Sequence, residues 1–95
     1  MTVYALAQGT ITDREQLARY IEAVGDSIGH HGGTVLALDE APQNIEGQVE
    51  HPRTVIIRFE SADDFHAWYD SPEYTAARKL RETAAVGTFI LVQGF

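Results

Sequence analysis

Tyr74, Arg78 and Arg81 stand at spacings i, i+4 and i+7, which puts a phenol and two guanidinium groups on one stripe of a helix. Converging hydroxyl and guanidinium donors of this kind can form a wall that holds a carboxylate or another anion. The same residues also admit a plainer reading. Basic side chains in the last turns of a helix complement its dipole, and Arg78 can stack on Tyr74 as a cation–π pair. Positive charge is nonetheless concentrated here, because Arg78, Lys79 and Arg81 supply three of the seven basic residues. Arg58 is the fourth candidate. It interrupts an apolar run, Val55-Ile56-Ile57, where a guanidinium must find a carboxylate on a neighbouring strand or point into a wet pocket. Arg58, Tyr74, Arg78 and Arg81 are therefore the candidate ligand-binding residues.

The histidines offer less. His66 lies close to Tyr69-Asp70, as a general base could, and equally as a surface histidine of an amphipathic helix would. His30-His31 falls at a predicted helix end, where imidazolium complements the dipole, and the local sequence lacks the partners a metal needs. His51 sits in a loop. No GxGxxG, P-loop, GxSxG or HExxH pattern is present, and there is no cysteine, so neither a cofactor nor a metal is expected and no catalytic residue is singled out.

Ninety-five residues make one domain, taken as 1–95, with modest burial for its size. A net charge of −7 argues against nucleic acid and against an anionic membrane surface. The lack of cysteine, of a signal-like start and of any apolar stretch near ~20 residues leads to the expectation of a cytoplasmic protein.

These residues must be positioned by elements that the periodicity supplies. Thr2 to Ile11 alternates as a strand, with apolar residues on both parities near its start. Thr12-Asp13-Arg14-Glu15 reads as a capping box with Thr12 as N-cap, followed by the stripe Leu17, Tyr20, Ile21, Val24, Ile28, which predicts one helix over 13–31 despite Gly25. Thr34–Leu38 is a second strand, Ile45–Val49 one arm of a hairpin, and Arg53–Glu60 an interior strand rich in β-branched residues. Ser61 and Ser71 read as N-caps of a helical region over 61–84 broken at Asp70-Ser71, with Pro72 at the first helical position and Ala76, Ala77, Leu80 and Ala84 as its core stripe. Val86–Gly94 closes the chain as a strand.

The order β-α-β-β-α-β describes an α+β, ferredoxin-like antiparallel sheet with helices on one face. That leaves an apolar sheet face uncovered, and an identical chain is the simplest partner for it, in an interface of at least ~1,200 Å².

The run Trp68-Tyr69-Asp70-Ser71-Pro72-Glu73-Tyr74, with Arg81 after it and Gly32-Gly33 and Glu46-Gly47 before it, resembles the domain-of-unknown-function 1330 family of the dimeric α/β-barrel superfamily. The resemblance extends over nearly the whole chain. It implies a homodimer whose two sheets face each other as a dimeric α/β barrel. It also implies one departure. Many relatives carry a basic residue where this chain has Leu38 and an acidic one at Arg58, which leaves Asp39 or Glu46 as the carboxylate for Arg58. Two functions follow as alternatives. One is a protein that binds or converts a small polar or anionic organic molecule in a pocket between sheet and helices, with superfamily analogy permitting cofactor-independent oxygenation. The other is a non-catalytic dimeric accessory or stress-related module without a ligand.

Overall fold

The computed structural model describes all of residues 1–95. Its elements run β1 (Val3–Ile11), α1 (Arg14–Val24), α2 (Ser27–His30), β2 (Thr34–Asp39), β3 (Arg53–Phe59), α3 (Ala62–Tyr69), α4 (Pro72–Ala84) and β4 (Ala85–Gln93). The strands form one antiparallel sheet in the order β2-β3-β1-β4. This is the expected ferredoxin-like arrangement, with β1 and β3 in the interior. No helix is long and apolar enough to cross a membrane.

Strand parity divides the sheet into two faces. Odd residues of β1 and β3 face the helices, and Val3, Ala5, Ile57 and Phe59 join Phe65, Trp68, Tyr74 and Ala77 in the buried core. Even residues face away and form rows that cross the strands. Ala37, Ile56, Leu6 and Ile90 make an apolar row, flanked by Thr54, Gln8 and Thr88 on one side and by Thr34, Arg58, Tyr4 and Val92 on the other. Where β1 meets β4, Gly9 pairs with Gly87, and a Cβ built at Gly87 would lie 1.9 Å from the Gln8 carbonyl oxygen. Only glycine permits that close approach.

Four details differ from the sequence reading. Asp13, not Thr12, caps α1: its carboxylate accepts the Gln16 N–H at 3.0 Å, while the Thr12 hydroxyl donates to the Thr83 carbonyl at 3.3 Å. The predicted single helix over 13–31 is two helices, because Gly25 takes φ 47° and ends α1. The apolar stripe survives this break, since Ser27 is anchored in the core by the Trp68 indole N–H (3.0 Å) and Ile28 continues to pack against the core. Ile45–Val49 forms no strand. It lies in the loop between β2 and β3, with Ile45 exposed and the Asn44 side chain bridging to the Gly47 carbonyl at 2.6 Å. β3 is paired on both sides, with β2 and β1, so the segment cannot form a hairpin arm on it. Ala76 also faces outward, whereas Ala77 and Ala84 are buried.

The break at Asp70-Ser71 falls where the capping signals place it. Ser71 is buried, accepts the Tyr74 N–H at 3.2 Å and donates to the Trp68 carbonyl at 2.7 Å, so it ends α3 and starts α4 together. Ser71→Ala should therefore cost about 0.5–2 kcal/mol in urea denaturation, at the upper end because both bonds are buried. Unchanged stability would show that the cap contributes nothing.

Candidate functional site

Between the sheet and the helices lies a cavity of about 250 Å³. Its floor exists because the central strand places a small residue, Ala7, between the larger Val55 of β3 and Phe89 of β4 in register with it. Its roof is the stripe of α1 and α2, from Leu17 and Tyr20 to Ile28. Trp68 closes the core side. Most of the lining is apolar, and the charged residues among it are two, Arg53 and Arg81.

Arg81 enters from α4 and packs over Phe89, its guanidinium carbon 5.1 Å from the ring centroid. Nearby is a pair of phenols. Tyr74 is fully buried and shares a 3.0 Å hydroxyl–hydroxyl hydrogen bond with Tyr20, which itself lines the cavity. Burial pushes the Tyr74 phenol far above its ordinary range, the Tyr20 hydroxyl adds to this, and Arg81 opposes it. Tyr74 thus stays protonated and is no base. Its role in the arrangement is to hold Tyr20 in place at the cavity wall.

The helical stripe does not act as one wall. Arg78 lies outside the cavity lining and sits over Tyr69, 4.6 Å from the ring centroid, so its cation–π partner is Tyr69 where the sequence suggested Tyr74. Its guanidinium is held charged by Tyr69. Arg58 is on the opposite face of the sheet from the other three, opposite Tyr4 and bonded at 2.8 Å to Glu60, two residues on and just past the end of β3. The carboxylate it finds is Glu60; Asp39 instead accepts the Ala41 N–H at 2.9 Å. The structure brings Arg81 and the Tyr74–Tyr20 pair together at the cavity and leaves Arg58 and Arg78 outside it.

Arg53 is the residue that the sequence reading passed over. Its side chain is 13% exposed, the Glu40 carboxylate approaches to 3.6 Å, and its Nε is buried without a hydrogen-bond partner. The 3.6 Å contact is from that same Nε, so the ion pair is loose and leaves the donor incompletely satisfied. The available signal was parity: Arg53 shares the odd face of Val55, Ile57 and Phe59, so it had to point toward the helices. The histidines stay outside the cavity. His66 is exposed, His30 meets Glu73 at 3.1 Å, His31 bonds the Ser27 carbonyl at 3.0 Å, and His51 meets Thr10 at 2.9 Å.

The sequence pattern of the family described as a domain of unknown function, DUF1330, matches residues 2–95. The chain belongs to the DUF1330 family. A comparison with curated proteins finds no match. Among solved structures, this DUF1330 chain is similar to the RPA0582 protein of unknown function from Rhodopseudomonas palustris, with a TM-score of 0.81 at 19% identity, covering 99% of this chain and 82% of the other. It is also similar to a dimeric ferredoxin-like protein of unknown function from Jannaschia sp. CCS1, with a TM-score of 0.71 at 14% identity, covering 99% and 100%. A third likeness is to a candidate antibiotic biosynthesis monooxygenase from Caulobacter crescentus CB15, with a TM-score of 0.59 at 13% identity, covering 95% and 84%. At these identities the likeness establishes the ferredoxin-like fold of the DUF1330 chain and no shared chemistry.

Proposed function

We propose that this DUF1330 protein binds a small organic molecule, apolar in its body and polar or anionic at one end, in the cavity between sheet and helices, and does so as a homodimer. The observation that carries the reading is the composition of that cavity: a mostly apolar lining that includes Arg53, Arg81 and Tyr20, the last held by its hydroxyl bond to Tyr74. Pockets that take small molecules are typically built this way, with a few placed polar groups in an apolar wall. Arg81 from α4 and Arg53 from β3 are the cationic groups available to the polar end, and Tyr74 holds Tyr20 at the wall. The dimer rests on the uncovered apolar row of the sheet and on the dimeric state described for similar folds such as the Jannaschia protein. Arg58, on that same face, then belongs to the dimer barrel, and Arg78 to the outer support of the aromatic core.

A thermal-shift screen of small carboxylates, phosphates and phenols tests the reading. A compound that raises the melting temperature of the wild type should bind Arg81→Lys about tenfold more weakly, because lysine keeps the charge and loses the planar fork. The unliganded Lys variant should melt close to wild type. If no compound shifts the wild type, and Arg81→Lys and Arg81→Ala lose stability equally, Arg81 is a strut and the ligand-free dimeric module takes the place of this reading.

A further inference from the structure

Arg53 is half committed. Its buried Nε faces a Glu40 carboxylate oxygen at 3.6 Å, an ion pair slightly too long to be a hydrogen bond. Glu40 has a second cation: the Arg14 guanidinium donates to both of its carboxylate oxygens at 3.4 Å. One carboxylate thus spans an exposed arginine on α1 and an inward arginine on β3, and it satisfies neither well. Arg53 also lines the cavity, in the same cross-strand row as Gly9 and one pair away from Val55 and Ala7 on the apolar floor.

We propose that Glu40 is a built-in stand-in for the ligand, and that the cavity takes a monocarboxylic acid with a compact apolar body whose carboxylate replaces Glu40 on Arg53. This rests on the cavity being a ligand site, as proposed above, and specifies which chemistry it selects. Three features favour a carboxylate. The group already drawn to Arg53 is a carboxylate, so the charge and approach match. The Nε, which now faces a Glu40 oxygen at 3.6 Å, is a donor that a better-placed planar acceptor can reach together with a terminal nitrogen, as in fork-shaped arginine–carboxylate pairs. The exchange leaves no stranded charge, because Glu40 keeps Arg14 when it releases Arg53. A dianionic phosphate fits less well, since the remaining cation, Arg81, is stacked on Phe89 and the rest of the wall is mostly apolar.

The test titrates the full-length protein with benzoate and phenylacetate and with their neutral amides, benzamide and phenylacetamide, by calorimetry. Wild type should bind the acids at least tenfold more tightly than the amides. Glu40→Gln removes the competitor and should tighten the acids about three- to tenfold while leaving the amides within twofold. Arg53→Gln should abolish the preference for the acid. Arg53→Lys, which retains charge and stem, guards against misfolding of the glutamine variant and should keep less than a third of the preference. In wild-type protein the Arg53 Nε–H resonance should move on addition of acid and not of amide. Equal binding of acids and amides in all variants overturns the carboxylate assignment while the cavity remains a ligand site. Binding of none of the four probes to wild type or Glu40→Gln removes this inference and counts against the cavity reading as well, and a ligand of other chemistry found in the thermal-shift screen then separates the two.

Discussion

Trp68→Ala should lower the free energy of unfolding by about 3–5 kcal/mol, the range for truncating a large buried aromatic. Trp68 is 1% exposed and stands at the centre of a ring cluster, with centroids 4.0 Å from Tyr74, 5.7 Å from Phe59, 5.8 Å from Phe65 and 6.2 Å from Phe89. Truncation removes contacts to all four and strips the buried Ser27 hydroxyl of its indole donor. The void would also open into the adjoining cavity, which Trp68 helps to line, so the surrounding helices cannot close it cheaply. For a chain of this length each kcal/mol moves the melting temperature by about 4–8 °C, so a fall of roughly 12 °C or more is expected in a calorimetric scan. Trp68→Phe separates the two contributions. It keeps a ring in the cluster and loses the Ser27 bond, and it should cost well under half as much. A loss below about 1 kcal/mol for the alanine variant would mean that the cluster is not the core of the fold.

Trp68 also shows which features were legible in the sequence. Helix starts are local: Ser61 and Ser71 accept the N–H groups three residues on, and nothing distant is needed to read them. Strand parity is equally local, and it predicted an interior β1 and β3. The end of α1 was not legible, because a glycine inside an apolar stripe is tolerated in many helices. Gly25 breaks this one by adopting φ 47°, next to a Ser27 fixed by a tryptophan 41 residues away. The candidate site divides in the same way. The spacing of Tyr74, Arg78 and Arg81 correctly put them on one helix, yet which of them enters a cavity depends on Phe89, Tyr69 and Tyr20, which reach α4 only through the tertiary fold. Arg58 attracted notice because it interrupts an apolar run, and parity sends it to the face away from the helices. Arg53 raised no such signal at the edge of its strand, although the same parity sends it inward.

Ile90→Asp should convert the proposed dimer to a monomer at micromolar concentration. Ile90 belongs to the apolar row Ala37, Ile56, Leu6, Ile90 on the sheet face that no helix covers, and it is 52% exposed in the single chain. An aspartate there can remain hydrated in the monomer, so the fold of one chain should be little affected. In a dimer that closes two such faces on each other, each chain would bury a carboxylate against the partner's apolar row. The basic group on this face, Arg58, is already taken by Glu60 at 2.8 Å. An unpaired buried charge costs several kcal/mol, and two-fold symmetry makes the cost occur twice. Weakening of the dimer by at least about a thousandfold follows, since ~4 kcal/mol is enough for that factor. Light scattering behind size exclusion should return about twice the 10.5 kDa chain mass for wild type and a single chain mass for Ile90→Asp, with the far-ultraviolet spectrum preserved. Ile45→Asp, in the exposed β2–β3 loop, places the same charge away from the sheet face and should leave the dimer intact. A wild type that scatters as one chain at tens of micromolar would remove the homodimer altogether. A dimer that survives Ile90→Asp unchanged would instead move the contact off this face and leave the edge strand β2, whose outer backbone groups have no strand partner in the single chain, as the surface through which two copies meet.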